Sequence, residues 1–276
     1  AHTNAPGSRH PNRYFDVEVR YAKAGPDEIH IRIIATNHGP EAAPLHLLPQ
    51  LWFRNDWSWG DPVDKPALRS IAAPKGASWA VQADHPTLGT YYLYGRHAAK
   101  ALFTENESNA ARLWNVPATT PYAKDAFHRR VVNAEQSAVN PEPNGTKFGA
   151  WHVVTLDPGH STTIGMTLSR QPLADPFGKR EVIFAKREAE AAVFYDDLLP
   201  EGDTQDMNIL RQSLAGMIWS KQFFHFDVAR WQDGDQLPPP AGRKHGRNRR
   251  WRHMKAAHVV SMPDKWEYPW FAAWDL

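Results

Sequence analysis

The period of the hydrophobic pattern changes near residue 170, and this change constrains the fold more strongly than any other feature of the sequence. Before this point, apolar and polar residues alternate in short runs, such as residues 15–21 and 29–33. After it, apolar residues recur at every third or fourth position, as in residues 204–221. Alternation is typical of a half-buried β-strand, and the longer period is typical of an amphipathic helix. The sequence therefore predicts a β-rich part followed by a helical part.

The first part predicts an antiparallel β-sandwich. Its strand-like runs are short and are separated by turn signals at residues 37–40 and 157–160, where Gly and Pro lie next to polar residues. Many short strands with frequent turns are typical of two packed antiparallel sheets. We expect a loop at residues 1–12 and the sandwich domain at residues 13–170.

The second part predicts a linker and a helical hairpin within residues 171–232. Residues 179–199 contain several strong helix formers, and Asp203 or Thr204 can cap a second helix. The later turns of this second helix carry aromatic residues, for which core packing is the favoured role: Trp219, Phe223, Phe224 and Phe226.

Charge and motif content exclude several classes of function. With 32 Lys and Arg against 30 Asp and Glu, the formal net charge is +2, so neither nucleic acid nor a membrane is expected as a partner. The absence of cysteine from the sequence, together with the lack of a signal-peptide pattern, favours a cytoplasmic location. The sequence contains none of the phosphate-loop, zinc-helix or nucleophile-elbow motifs, so we expect no cofactor and no metal.

A basic loop at residues 243–252 leaves two interpretations open. Its arginines surround Trp251, and cationic surfaces with stacking aromatic residues bind single-stranded nucleic acid. Alternatively, the loop is solvated, or its cations pair with carboxylates elsewhere in the chain. The small net charge favours the second interpretation.

Residues 261–276 carry the most informative chemical pattern. Carboxylates lie there among tryptophans that recur at every fourth position, Trp266, Trp270 and Trp274. A carboxylic acid in an apolar setting has a raised pKa, which is the condition for a proton donor to a glycosidic oxygen. Indole faces beside such an acid can pack against pyranose rings. The alternative is a helix start with capping carboxylates and core tryptophans.

This segment also resembles the signature of a known enzyme family. It reads Ser-Met-Pro-Asp-Lys-Trp-Glu-Tyr-Pro-Trp-Phe-Ala-Ala-Trp-Asp-Leu and is similar to large bacterial proteins related to mannosyl-oligosaccharide glucosidase. Those proteins belong to glycoside hydrolase family 63 and to relatives that include mannosylglycerate hydrolase. Further stretches that resemble them lie at residues 12–17, 51–55, 102–107, 124–128, 145–147 and 216–222.

The resemblance implies an all-β antiparallel sandwich followed by α-helices that begin an (α/α)6 toroid. It implies that the chain is a fragment of a larger multidomain protein and that the sandwich is incomplete at its start. Residues 233–276 are then expected to form a loop and the truncated start of the catalytic domain, with the remainder of that domain missing from this chain.

The resemblance also implies an inverting hydrolysis of α-linked glucosides or mannosides, with an oligosaccharide or small glycoside as the substrate. The aspartate of the Trp-Asp pair, Asp275, is the expected general acid. The general base is expected on a later helix, so the isolated chain is expected to be inactive. The expected substrate-binding residues are Trp266, Glu267, Trp270 and Trp274.

The chain departs from the family pattern near its basic loop. Arg250 stands where an acidic residue is expected, and Ala257 and His258 stand where a polar or acidic residue is expected. These departures put sugar contacts by the loop in doubt. A second class of function stays open, a non-catalytic carbohydrate-binding or structural β-sandwich. The observation that favours it is a set of tryptophans expected on strands, Trp52, Trp57 and Trp59.

Overall fold

A computed structural model describes residues 13–59, 64–198, 204–234, 241–246 and 249–261 of the chain. The chain divides into two compact units, of which the first contains the β-strands up to residue 169 and ends at Glu188. The second unit consists mainly of the residues from Ala189 onwards. Each unit is described by itself below.

The strands of the first unit follow one another with short connections. They are β1 (Phe15–Gly25), β2 (Glu28–Asn37), β3 (Ala43–Leu47), β4 (Gln50–Trp52), β5 (Ala67–Ile71), β6 (Trp79–His85), β7 (Gly89–Gly95), β8 (Lys100–Thr104), β9 (Asn144–Gly145), β10 (Lys147–Leu156) and β11 (Ser161–Ser169).

These strands form two antiparallel sheets. The large sheet has the order β1-β2-β11-β7-β6-β5-β9. In the small sheet, β10 pairs with β3 and β4 and also with β8. The hydrophobic core contains residues from both sheets, including Ile33, Ala35, Leu47, Leu68, Val81, Leu93, Phe103, Phe148, Leu156, Ile164 and Met166. Burial of these apolar side chains is the main force that holds such layers together, and the predicted antiparallel β-sandwich is confirmed.

The strand predictions were correct where apolar and polar residues alternate. The runs that begin at Phe15 and Ile29 form the hairpin of β1 and β2, and residues 157–160 connect β10 to β11. Strands β5, β6 and β8 lack this alternation and were not predicted. On β1, the edge strand of the large sheet, Val17, Val19 and Tyr21 are 43–52% exposed, so alternation correctly marked the strand although much of this apolar face stays uncovered.

Five helices are described in the two units. They are α1 (Ala110–Trp114), α2 (Ala126–Val131), α3 (Arg180–Leu198), α4 (Thr204–Trp219) and α5 (Val228–Asp233).

The start of α3 packs on the large sheet through charged and aromatic side chains. The guanidinium of Arg32 lies 4.1 Å from the ring centre of Phe184 and pairs with Glu181 at 2.5 Å. Arg180 is 3% exposed, and its guanidinium fills the space that a side chain at Gly165 would occupy. Burial lowers the pKa of Arg180. Cation–π and ionic contacts thus supplement the apolar packing of this helix.

In the second unit, one predicted helix is shorter than its pattern suggested. Helix α4 ends at Trp219, and residues 221–227 form strand β12 (Lys221–Asp227) instead of further helical turns. Strand β12 pairs with β13 (Lys255–Ser261), which lies within the region predicted as a loop. Phe223, Phe224 and Phe226 therefore lie on a strand, and the prediction that they continue the helix was wrong. Within the described residues, none of the helices is long and apolar enough to cross a lipid bilayer. The (α/α)6 toroid stays a prediction.

The close approach of Gly145 to β8 gives a test of the sandwich. A Cβ at Gly145 would lie 2.5 Å from the carbonyl oxygen of Thr104, so Gly145→Ala must push two backbones apart. We expect a loss of about 1–3 kcal/mol in the free energy of unfolding, measured by urea denaturation. The matched control is Gly25→Ala, because a Cβ there meets no described atom within 4 Å. Equal stabilities of the two variants would contradict the described packing.

Candidate functional site

The residues predicted to carry the chemistry lie outside the described part of the chain. These are Trp266, Glu267, Trp270, Trp274 and Asp275, and their roles stay predictions. The structure does describe the strand that precedes them, β13, which ends at Ser261. Ser261 is also the first residue of the family-like segment, residues 261–276.

The hairpin of β12 and β13 presents an aromatic face to solvent. Phe223 pairs in register with Val259, and these side chains are 63% and 68% exposed. His225 lies two residues further along the same face, and its ring stacks on Phe223 with centroids 6.1 Å apart. An exposed aromatic strip of this kind is typical of a surface that binds something.

The basic loop between these strands uses several of its cations internally. Arg252 makes two hydrogen bonds to Asp233, at 2.9 and 2.6 Å. Arg243 lies 4.6 Å from the ring centre of Trp231 and donates to its carbonyl oxygen. Lys255, the first residue of β13 after the loop, pairs with Asp227 at 3.1 Å. These contacts favour the interpretation that the loop cations pair within the chain, and the expected absence of a nucleic-acid partner stays a prediction.

A second polar site lies in the sandwich, where loops from β4 and β8 meet. Lys65 contacts Glu105 at 2.7 Å and Glu107 at 3.1 Å. Glu105 and Glu107 follow β8 at alternate positions, so they can reach the same cation. We call this group, together with the donors Trp57, Thr119 and Thr146, the Lys65 cluster.

Neutral donors complete the coordination of the two carboxylates. The indole nitrogen of Trp57 donates to Glu107 at 3.0 Å, and the hydroxyl of Thr119 donates to its other oxygen at 2.5 Å. Thr146 donates to Glu105 at 2.7 Å. Burial would raise the pKa of Glu107, but the bonds from Thr119, Trp57 and Lys65 outweigh it and lower that pKa below its ordinary value of 4.5. Glu107 is therefore ionised at neutral pH and cannot act there as a proton donor.

Backbone contacts fix the same loops around the cluster. The side chain of Asn106 donates to the carbonyl oxygen of Phe53, and Asn55 donates to the carbonyl oxygen of Asn106. The amide of Asn106 donates to the hydroxyl of Thr146 at 2.7 Å. The segments 51–55, 102–107 and 145–147 thus meet at one place, although they are far apart in the sequence.

Sequence reasoning marked these segments but assigned no role to Lys65 or Glu107. The available signal was Glu105-Asn106-Glu107 directly after a strand, since alternate acidic residues at a strand end share a side. The partner, Lys65, lies too far away in sequence for any local pattern to reveal it.

The tryptophans behind the binding hypothesis differ in accessibility. Trp52 is on β4 and is 52% exposed. Trp57 lies in a short 3-10 helix (Trp57–Trp59) and is tied to Glu107, so the expectation that it is on a strand was wrong. Trp59 is the last residue of the same 3-10 helix, so the expectation that it is on a strand was also wrong.

A metal site is not formed by the described residues. Within the described ranges, no three His, Asp or Glu side chains are grouped so that they could hold an ion. The expectation that the protein needs no cofactor is not tested by this observation.

A curated protein of Saccharomyces cerevisiae shows clear similarity to the chain. This protein, the uncharacterized protein YMR196W, is 32% identical to the chain over an alignment of 306 residues. That alignment covers 96% of this chain and 28% of the relative, so the chain spans less than a third of that protein's length. No protein-family model matches the chain.

A solved structure with weak similarity comes from Escherichia coli and is described as an aldose 1-epimerase. It matches with a TM-score of 0.27 and 13% sequence identity, over 57% of this chain and 60% of that chain. Similarity at this level supports no conclusion about activity.

The Lys65 cluster predicts a specific acid sensitivity. Because the pKa of Glu107 is lowered in the folded chain, its contribution to stability is present above pH 4.5 and is lost as the pH falls through the folded pKa. Glu107→Gln should cost about 1–3 kcal/mol at pH 7 and should flatten the fall in stability below pH 4.5. Urea unfolding between pH 7 and pH 3 measures both effects.

The control for this prediction is Glu142→Gln, which changes an exposed carboxylate of the same unit. It should leave both the stability at pH 7 and the acid profile close to those of the unaltered chain. If Glu107→Gln and the unaltered chain lose stability in parallel below pH 4.5, the cluster does not hold Glu107 as described.

Proposed function

We propose that the chain is part of an inverting α-glycosidase of the family 63 type, acting on an oligosaccharide or a small glycoside. One observation carries the proposal. Three short stretches that resemble the family, residues 51–55, 102–107 and 145–147, are joined by hydrogen bonds in the sandwich. These stretches lie on or directly beside the paired strands β4, β8 and β10, so the family-like residues form one continuous part of the sandwich, which supports a shared framework.

The described hairpin adds support from the second unit. Strand β13 is paired along its whole length and ends at Ser261, with Lys221 opposite it in register. The family-like segment therefore begins directly from a paired strand. Aromatic surface next to its start, at Phe223 and His225, is suited to the apolar faces of sugars.

In the proposed mechanism, Asp275 protonates the glycosidic oxygen as the bond breaks. The indole rings of Trp266, Trp270 and Trp274 would keep this carboxyl group protonated by withholding water, and Glu267 would bind a sugar hydroxyl. A second carboxylate, from outside these 276 residues, would activate the attacking water. Inverting enzymes separate the two carboxyl groups by about 6.5–9.5 Å to leave room for that water.

The role of Asp275 is tested in the longer protein that contains this chain. Asp275→Asn should lower kcat on an unactivated disaccharide by about 10²–10⁴, which is the usual contribution of a general acid. The loss should be much smaller on a dinitrophenyl glycoside, because that leaving group needs no proton. Asp264→Asn, in the same segment, is the control and should retain most of the activity. Near-normal turnover of the disaccharide by Asp275→Asn would remove Asp275 from the role.

The proposal also predicts that the 276-residue chain alone has no measurable turnover of α-glucosides or α-mannosides. One carboxylate cannot serve as both acid and base in an inverting reaction. Release of reducing sugar is the measurement, with the longer protein as the positive control. Turnover by the purified chain at a rate comparable with that control would show that the base lies within it.

A second candidate function is sugar binding by the sandwich without catalysis. The observation that favours it is the exposed indole of Trp52, since Trp57 is engaged by Glu107. Trp52 is therefore the residue on which this candidate function depends.

A further inference from the structure

Trp52 lies in a row of three side chains that crosses the small sheet on its outer face. In register, Lys147 on β10 stands between Trp52 on β4 and Thr104 on β8. The ammonium of Lys147 is 6.0 Å from the ring centre of Trp52 and 5.3 Å from that of Phe127. The row therefore places a cation directly beside an indole that is 52% exposed.

Lys147 has no carboxylate partner among the described residues, and the nearby acidic side chains are occupied. Asp125 is held by Arg112 and by the amide of Asn109. Lys65 contacts both Glu105 and Glu107. Elsewhere in the sandwich, cations do have carboxylate partners, as Arg69 has Asp84 and Arg129 has Glu135.

The same face keeps other cations without a carboxylate in the described part of the chain. Lys100 lies 6.0 Å and Arg130 lies 5.1 Å from the ring centre of Trp151, and Arg130 is only 8% exposed. Trp151 itself donates to His46. Among the described residues of this face, positive charge thus meets aromatic rings and no carboxylate, and an aromatic ring is a weak partner compared with a carboxylate.

Two further groups in the row lie in unfavourable surroundings: the ammonium of Lys147 and the hydroxyl of Thr104. Burial, together with the charge of Lys124, lowers the pKa of Lys147. The hydroxyl of Thr104 is fully buried and has no hydrogen-bond partner among the described residues. A partly buried cation next to a second cation destabilises a fold unless an anion is supplied.

We propose that Trp52 and Lys147 form a binding site for an anionic sugar. The exposed indole face packs against the sugar ring, and the ammonium group of Lys147 holds a carboxylate or phosphate on that sugar. One indole beside one ammonium group matches one ring with one anionic substituent, which is the recognition pattern of a small ligand and not of an extended polymer. The site lies on the sandwich and does not depend on hydrolysis by Asp275.

The test is calorimetry on the 276-residue chain with four probes: glucuronate, glucose 6-phosphate, glucose and inorganic phosphate. Both anionic sugars should bind at least about tenfold more tightly than glucose, because they add a charge-assisted contact with the ammonium group to the packing against the indole. Comparison of the two anionic sugars distinguishes carboxylate from phosphate as the preferred group. Inorganic phosphate should bind more weakly than glucose 6-phosphate, since it makes no contact with the indole.

Variants separate the two halves of the site. Lys147→Met should reduce the affinity for anionic sugars about tenfold or more without lowering stability, because it removes a cation that lacks a partner. Trp52→Ala should lower the affinity for the sugars and leave the affinity for inorganic phosphate unchanged. The controls are Trp114→Ala, which alters an indole that is 63% exposed on α1, and Lys23→Met on β1. Both controls should bind like the unaltered chain.

Three results would overturn the proposal. The first is equal affinity for glucose and glucuronate. The second is anionic-sugar binding that survives both Lys147→Met and Trp52→Ala. The third is inorganic phosphate that binds as tightly as glucose 6-phosphate, which would show a simple anion site without sugar recognition.

Discussion

Lys65 holds two carboxylates at the edge of the sandwich, and the loops around it take their positions from those contacts. Without this cation, Glu105 and Glu107 would be two like charges at alternate positions, with Glu107 only 8% exposed. Such an arrangement is unfavourable in a low dielectric unless it is neutralised. The hydroxyls of Thr119 and Thr146 and the indole of Trp57 then complete a network in which each carboxylate has several partners. The network connects loops that would otherwise be tied only through the sheets.

The two faces of the small sheet differ in the side chains that they carry. On its inner face, Phe148 is fully buried and packs against Phe103, as a sandwich core requires. On its outer face, β10 carries Lys147 and Trp151, where cations meet aromatic rings and no described carboxylate. Phe127 from α2 packs against Gly149 between those two positions. The inner face therefore stabilises the fold by apolar packing. The outer face carries cations that have no carboxylate partner among the described residues, and these cations do not add to that stability.

Some of the fold could be predicted from the sequence because its signals are local. Alternation marked β1 and β2, where apolar and polar residues follow one another along the strand. It did not mark β6, where Ala80, Val81 and Ala83 are all buried, so both sides of the strand are apolar. Strand β12 was predicted as helix because its phenylalanines also fit a helical spacing. Its pairing with β13, about 30 residues away, is a non-local contact that no window of sequence contains.

The candidate sites follow the same division. The tryptophan-rich segment could be found from the sequence because its pattern is contiguous, and its chemistry stays a prediction. The Lys65 cluster and the row of Trp52, Lys147 and Thr104 depend on the register between strands that are distant along the chain. Composition indicated neither of these two sites, because a net charge of +2 does not show which cations lack a carboxylate partner.

The ion pair between Asp227 and Lys255 has a consequence for the register of the β12–β13 hairpin. These residues are directly opposite each other in the β12–β13 ladder, and Asp227 also accepts a bond from the amide of Arg230 at the start of α5. Side chains alternate along a strand, so a slip of one residue would exchange the two faces of β13. The ion pair therefore favours the observed register of the hairpin over a register shifted by one residue.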